Sequence, residues 1–179
     1  HDADGILFGD GLWTNRWDAE NRLSIMYNVT NVPFAARRKL NFSYDPLGRR
    51  VQKIVSTNNG TTYYPISTNR FVYDGWNLIA ELDGTNGLAR SFMWGTDLSG
   101  SQQQASGVGG LLAVKVATNG VAFVAYDGNF NVAALANATN GIISANYEYD
   151  PFGEVIRATG PMARVNPFRW STQYTDDET

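Results

Sequence analysis

An aromatic residue followed by aspartate recurs along this chain, as Trp17-Asp18, Tyr44-Asp45, Tyr73-Asp74, Tyr126-Asp127 and Tyr149-Asp150. Pro or Gly follows the Asp in four of the five, as Pro46, Gly75, Gly128 and Pro151. Successive pairs lie 27, 29, 53 and 23 residues apart, and the 53-residue interval contains Trp94-Gly95-Thr96-Asp97, a stretched version of the same unit. A repeat of roughly 20 to 30 residues restricts the fold to small supersecondary units that bury their apolar faces on one another.

Each unit reads as a β-hairpin. Lys39–Tyr44 and Arg49–Val55 largely alternate apolar with polar residues, so each strand presents one face to a core. Between them, Asp45 accepts backbone N–H bonds from residues just ahead, Pro46 presets φ, and Gly48 takes the position that needs positive φ. Asp150, Pro151 and Gly153 repeat that arrangement. Further strand runs are 70–73, 78–82, 88–94, 111–117, 121–126 and 142–149. A Gly/Ser/Gln stretch over 96–110 reads as a loop insertion. No run has the pattern of a helix of ten residues or more. The expected core comprises Leu40, Phe42, Tyr44, Val51, Phe71, Tyr73, Ile79, Leu82, Phe123, Val132, Leu135, Tyr147 and Tyr149.

Composition narrows the function. The chain is 43% hydrophobic and 13% aromatic, with 18 glycines, which suits a packed core of strands and tight turns rather than disorder. A net charge of −3 and scattered arginines offer no phosphate-neutralising surface, so no nucleic-acid partner is expected. No apolar run approaches the ~20 residues of a membrane-spanning helix. Without cysteine, and with one histidine at position 1, thiolate chemistry, a Ser-His-Asp triad and a His-based metal site are not expected. Asp2-Ala3-Asp4-Gly5 fails as a calcium loop, because Gly11 stands where the closing Glu belongs. Seven aspartates directly precede Gly or Pro, a turn-capping pattern rather than a catalytic pair. We therefore expect no catalytic residue, no metal and no cofactor. The Asn-x-Ser/Thr sequons at Asn28, Asn41, Asn59 and Asn137 follow from the abundance of these residue types.

Several segments together resemble the RHS/YD-repeat proteins, specifically their RHS repeat-associated core region. These are Trp17–Leu23, Tyr44–Arg50, Phe92–Gly100 running into Gly107–Val114, Tyr149–Glu154 and Asn166–Thr179. The resemblance implies an all-β fold, a curved antiparallel sheet of YD-repeat hairpins forming a segment of a spiralling β-shell. It implies a non-catalytic shell segment of a secreted or surface bacterial protein that encapsulates and delivers a C-terminal toxin. The implied partners are flanking YD repeats of the parent chain and the encapsulated toxin. In many such proteins the core ends in an aspartate-dependent self-cleavage site beyond the stretch at which this chain stops. Asp45-Pro46 and Asp150-Pro151 belong to repeat turns, so no catalytic Asp is carried over.

The domain reading that follows is a repeat-hairpin segment over 1–159 and the truncated start of an irregular C-terminal segment over 160–179. The alternative is a carbohydrate-binding or adhesion module that meets cell-surface glycans with exposed aromatics. A catalytic β-propeller would want units of roughly 40 to 50 residues, and the spacing here argues against it.

Overall fold

The computed structural model describes residues 1, 5–29 and 31–178. Asp2, Ala3 and Asp4 of the failed calcium loop, Thr30 of the first sequon and Thr179 lie outside the described residues. Among the described residues twelve strands run as β1 (Trp13–Trp17), β2 (Leu23–Asn28), β3 (Arg38–Tyr44), β4 (Arg50–Asn58), β5 (Tyr63–Asp74), β6 (Asn77–Leu82), β7 (Leu88–Trp94), β8 (Leu111–Val116), β9 (Gly120–Tyr126), β10 (Val132–Asn137), β11 (Ile143–Tyr149) and β12 (Val155–Thr159). Their order in the sheet is their order in the sequence. Helix among the described residues is limited to two three-residue 3₁₀ turns, Phe34–Ala36 and Trp170–Thr172. No helix among the described residues is long and apolar enough to cross a membrane.

The chain divides into two compact units, one of residues 1–71 with 82–87, the other of 72–81 with 88–179. In the first, Trp13, Leu40, Phe42 and Val55 form a buried cluster, with Leu23, Met26 and Tyr44 packed against it. Register explains the cluster: Met26 pairs with Leu40 and Leu40 with Val55, so one row of β2, β3 and β4 is apolar. Leu40 is wholly buried, which contributes roughly 1.5–3 kcal/mol of apolar transfer.

In the second unit Leu111, Val114, Val132, Leu135, Ala145 and Tyr147 are buried. Residues after β12 are irregular but not loose. Met162, Ala163 and Phe168 are buried, and Phe168 meets Phe92 and Trp94 edge-on with ring centroids 4.9 and 5.2 Å apart.

Two expected core residues are exposed. Phe123 (56% exposed) lies opposite Ala113 and Ala136, while its neighbour Ala122 is fully buried. Strand β9 is apolar at almost every position, so alternation carries no signal there, and a one-residue choice of face inverts the strand. Ile79 is also exposed, with the preceding Leu78 taking the covered position. Leu40, Phe42, Phe71, Val132, Leu135 and Tyr147 are buried; Tyr44, Val51, Tyr73, Leu82 and Tyr149 are half-buried.

Candidate functional site: the aromatic–Asp turns

One turn geometry recurs six times, at Asp18, Asp45, Asp83, Asp97, Asp127 and Asp150. The N–H three residues on donates to the Asp carbonyl: Asn21 to Asp18 at 3.1 Å, Gly48 to Asp45 at 2.9, Asn86 to Asp83 at 3.1, Gly100 to Asp97 at 2.9, Phe130 to Asp127 at 3.2 and Gly153 to Asp150 at 3.2 Å. That same residue is left-handed in every case, with φ of 58°, 82°, 68°, 77°, 61° and 96° respectively. The Asp N–H in turn donates to the carbonyl four residues on, at 2.6 to 3.0 Å. This is a tight turn closed by a left-handed residue, a hairpin connection matched to strand twist.

The Asp side chain holds the turn together. Asp45 Oδ1 accepts the N–H groups of Leu47 and Arg49 at 3.0 and 2.9 Å. Asp18 does so with Glu20 and Arg22, Asp83 with Thr85 and Gly87, Asp127 with Asn129 and Asn131, and Asp150 with Phe152 and Glu154. At three turns the other oxygen takes the side chain four residues on: Arg22 at 2.8 Å, Arg49 at 2.7 Å and Asn131 at 2.8 Å. The Arg22 N–H and guanidinium hold the Asp18 carboxyl below the ordinary carboxylate range. Burial pushes the Asp45 carboxyl up, but the Arg49 guanidinium and N–H outweigh it and leave it lowered.

Trp17, Tyr44, Trp94 and Tyr149 each stand at a break in register, as Tyr44 does opposite Arg50 and Tyr149 opposite Val155. Tyr44, Trp94, Tyr126 and Tyr149 reach across to the preceding hairpin. Tyr44 donates its hydroxyl to the Leu23 carbonyl at 2.8 Å, Tyr126 to Leu111 at 2.7 Å and Tyr149 to Val132 at 2.8 Å. Trp94 does the same with its indole N–H, to Leu78 at 2.7 Å, and the Trp17 indole N–H reaches the Leu7 carbonyl, ahead of β1, at 3.0 Å. Leu23, Leu111 and Val132 are each the first residue of the strand adjoining the aromatic's own. The aromatic is thus an inter-hairpin staple, while the Asp is an intra-hairpin clamp. Burial pushes the Tyr126 phenol up to about 12 and the Tyr149 phenol higher still.

Two of the expected turn residues behave differently. At Tyr73-Asp74-Gly75, β5 passes to β6 through a shorter connection. The Asp74 carbonyl accepts Gln103 Nε2 at 2.9 Å, and the Trp76 N–H donates to Gln103 Oε1 at 3.0 Å. Gly128 is not left-handed; Phe130 carries the positive φ of its turn. Asp97, after the stretched Trp94 unit, is buried and organises the 96–110 segment. It accepts the Ser99 N–H at Oδ1 (2.9 Å) and the Ala105 N–H at Oδ2 (2.6 Å).

Sequence reasoning missed the polar fastening of the C-terminal segment. Fully buried Asn166 donates to the Phe168 carbonyl at 2.7 Å and to the Tyr147 hydroxyl at 3.3 Å. Ser171 donates its N–H to Asn131 Oδ1 at 2.8 Å, which ties this segment to the Asp127 turn. Fully buried Glu81 pairs with Arg90 at 2.8 Å and accepts the Tyr174 hydroxyl at 3.3 Å. Among the described residues no three His, Cys, Asp or Glu side chains are grouped to hold a metal ion.

Comparison with known proteins agrees with this geometry. No family model matches the chain. It is 29% identical over 183 residues to the tRNA nuclease WapA of Bacillus subtilis and 28% identical to the tRNA3(Ser)-specific nuclease WapA of Bacillus spizizenii. The match takes in the whole of this chain and 7% of each of those proteins. Among solved structures, it resembles the Tc holotoxin pore of Photorhabdus luminescens with a TM-score of 0.68, at 14% identity, over 99% of this chain and 8% of that one. It resembles TcdB2–TccC3 with a TM-score of 0.61, at 15% identity, over 94% of this chain and 8% of that one. These toxin-complex chains are RHS-repeat shells, and their fold is the fold of this chain.

Proposed function

We propose that this chain, an RHS/YD-repeat sheet in sequence and in fold, is a non-catalytic wall segment of a shell that encloses a C-terminal toxin. The carrying observation is the repetition of the clamp and the staple. Asp18, Asp45, Asp83, Asp127 and Asp150 are each consumed by the N–H groups of their own turn, and four aromatics, Tyr44, Trp94, Tyr126 and Tyr149, fasten one hairpin to the one before. Carboxylates committed to successive turns serve a wall and are not free to act as an acid pair. In this reading residues 1–159 are the repeat hairpins, with the Asp97-centred insertion near 96–110, and residues from 160 begin the C-terminal segment of the core. The turn residues Trp17 to Gly153 are structural. Partners are the flanking repeats and the enclosed polypeptide, and the location is secreted or on the bacterial surface. The nuclease activity in the names of the WapA relatives belongs, on this account, to parts of such proteins outside the 7% matched here.

Limited proteolysis of the parent protein tests the reading. Tyr44→Phe, Tyr126→Phe and Tyr149→Phe, combined, remove three staples with little change of shape. The C-terminal polypeptide should be protected in the parent and become cleavable in the variant. Free cleavage of that polypeptide in the parent itself would show that this wall encloses nothing.

A further inference from the structure

One cavity belongs neither to the turns nor to the core. It has a volume of about 300 Å³ and is lined by Arg16, Ile25, Tyr27, Lys39 and Tyr63. Strand register assembles it within the first unit. Arg16 pairs with Ile25 across β1 and β2, and Tyr27 with Lys39 across β2 and β3. Ile25 and Tyr27 flank Met26, so the cavity opens on the face opposite the Leu40 cluster.

Its charge is unbalanced. The Arg16 guanidinium lies 5.9 Å from the centre of the Tyr27 ring. Among the described residues, neither Arg16 nor Lys39 has a carboxylate partner, whereas Arg22 and Arg49 are paired with Asp18 and Asp45. The described acids of this unit are committed elsewhere: Asp10 to the N–H groups of Leu12 and Trp13, Asp18 and Glu20 to Arg22, Asp45 to Arg49, and Asp83 to its own turn. The unit holds nine Arg and Lys against seven Asp and Glu, although the whole chain has a net charge of −3.

We propose that this cavity binds an acidic sugar, a pyranose ring bearing a carboxylate. Arg16 offers a planar fork for the carboxylate and Lys39 a second positive charge. The Tyr27 and Tyr63 rings supply apolar faces for the C–H side of the sugar ring, and their hydroxyls can meet its hydroxyls. A peptide fits less well, because β2 and β3 are each paired along both edges and have no free ladder to offer an added strand.

The test titrates glucuronate into the parent protein, followed by saturation-transfer NMR and calorimetry. Glucose, sulfate and a short Asp/Glu peptide serve as comparators. Saturable glucuronate binding is expected, weakened by added salt and at least about tenfold tighter than glucose, since loss of a charge-assisted pair is worth that much. The Arg16→Gln/Lys39→Gln variant, with unchanged circular dichroism, should lose about tenfold or more in affinity. The proposal is overturned if glucuronate does not bind or if glucose binds as well. Sulfate binding as tightly as glucuronate (a simple anion site), a preference for the peptide, or a variant that binds like the parent would each also overturn it.

Discussion

Gly48 and Gly153 occupy equivalent places in two Asp-Pro-x-Gly turns, yet their surroundings differ, and that difference predicts unequal costs for one substitution. Both are left-handed, at φ 82° and 96°. A side chain in that region costs roughly 1–2 kcal/mol. A Cβ built on Gly48 meets nothing within 4 Å, so Gly48→Ala should cost only this backbone strain. A Cβ on Gly153 falls 2.8 Å from two ring carbons of Trp170. Trp170 also packs on Tyr149 with centroids 5.6 Å apart, so it cannot withdraw without giving up that contact. Overpacking of this kind adds roughly 1–3 kcal/mol. Gly153→Ala should therefore be the more damaging change by about that margin, and should loosen the segment that carries Trp170. Urea unfolding of both variants gives the two costs, and hydrogen exchange over 160–178 reports the loosening. Equal costs, or unchanged exchange in Gly153→Ala, would refute the claim that this glycine makes room for the C-terminal segment.

Other expectations follow from the staples and the buried charges. Tyr126→Phe and Tyr149→Phe should each lower stability by roughly 0.5–1.5 kcal/mol in urea melts, the net value of one hydrogen bond. Because burial raises Tyr126 to about 12, its contribution is fully present below the ordinary phenol value near 10. It is lost as the pH climbs from there to about 12, and a melt series should show that decline diminished in Tyr126→Phe. On the acid side the lowered carboxyls of Asp10, Asp18 and Asp83 stabilise the fold above their ordinary value of 3.8. Stability should fall as the pH drops below it, and a pH series of melting temperatures would show this. Arg90→Met, which leaves fully buried Glu81 without its arginine, should destabilise by about 3 kcal/mol. A double variant with Glu81→Gln should recover part of that loss.

The hairpins were legible because their turns are local chemistry. Asp45-Pro46-Leu47-Gly48 names its own geometry, and the Asp83 and Asp97 turns follow the same hydrogen-bond logic. Local chemistry also marks the limit of the sequence reading. Asn21, Asn86 and Phe130 take the left-handed place without being glycine, and nothing in the sequence points to Phe130 over Gly128. The staples were hidden because each joins residues far apart: Tyr44 with Leu23, Tyr126 with Leu111, Tyr149 with Val132. Phe123 was misassigned because β9 is apolar on both faces. The C-terminal segment lacks periodicity, yet Met162, Asn166 and Phe168 are buried by fit against β7 and β11, which no periodic pattern encodes.

The most direct test of the central claim is an electron cryo-microscopy structure of the parent protein. In it, β1 and β12 of this segment should pair with strands of flanking repeats in a closed wall around a C-terminal polypeptide. A free-standing sheet with both outer edges open to solvent and nothing enclosed would contradict it.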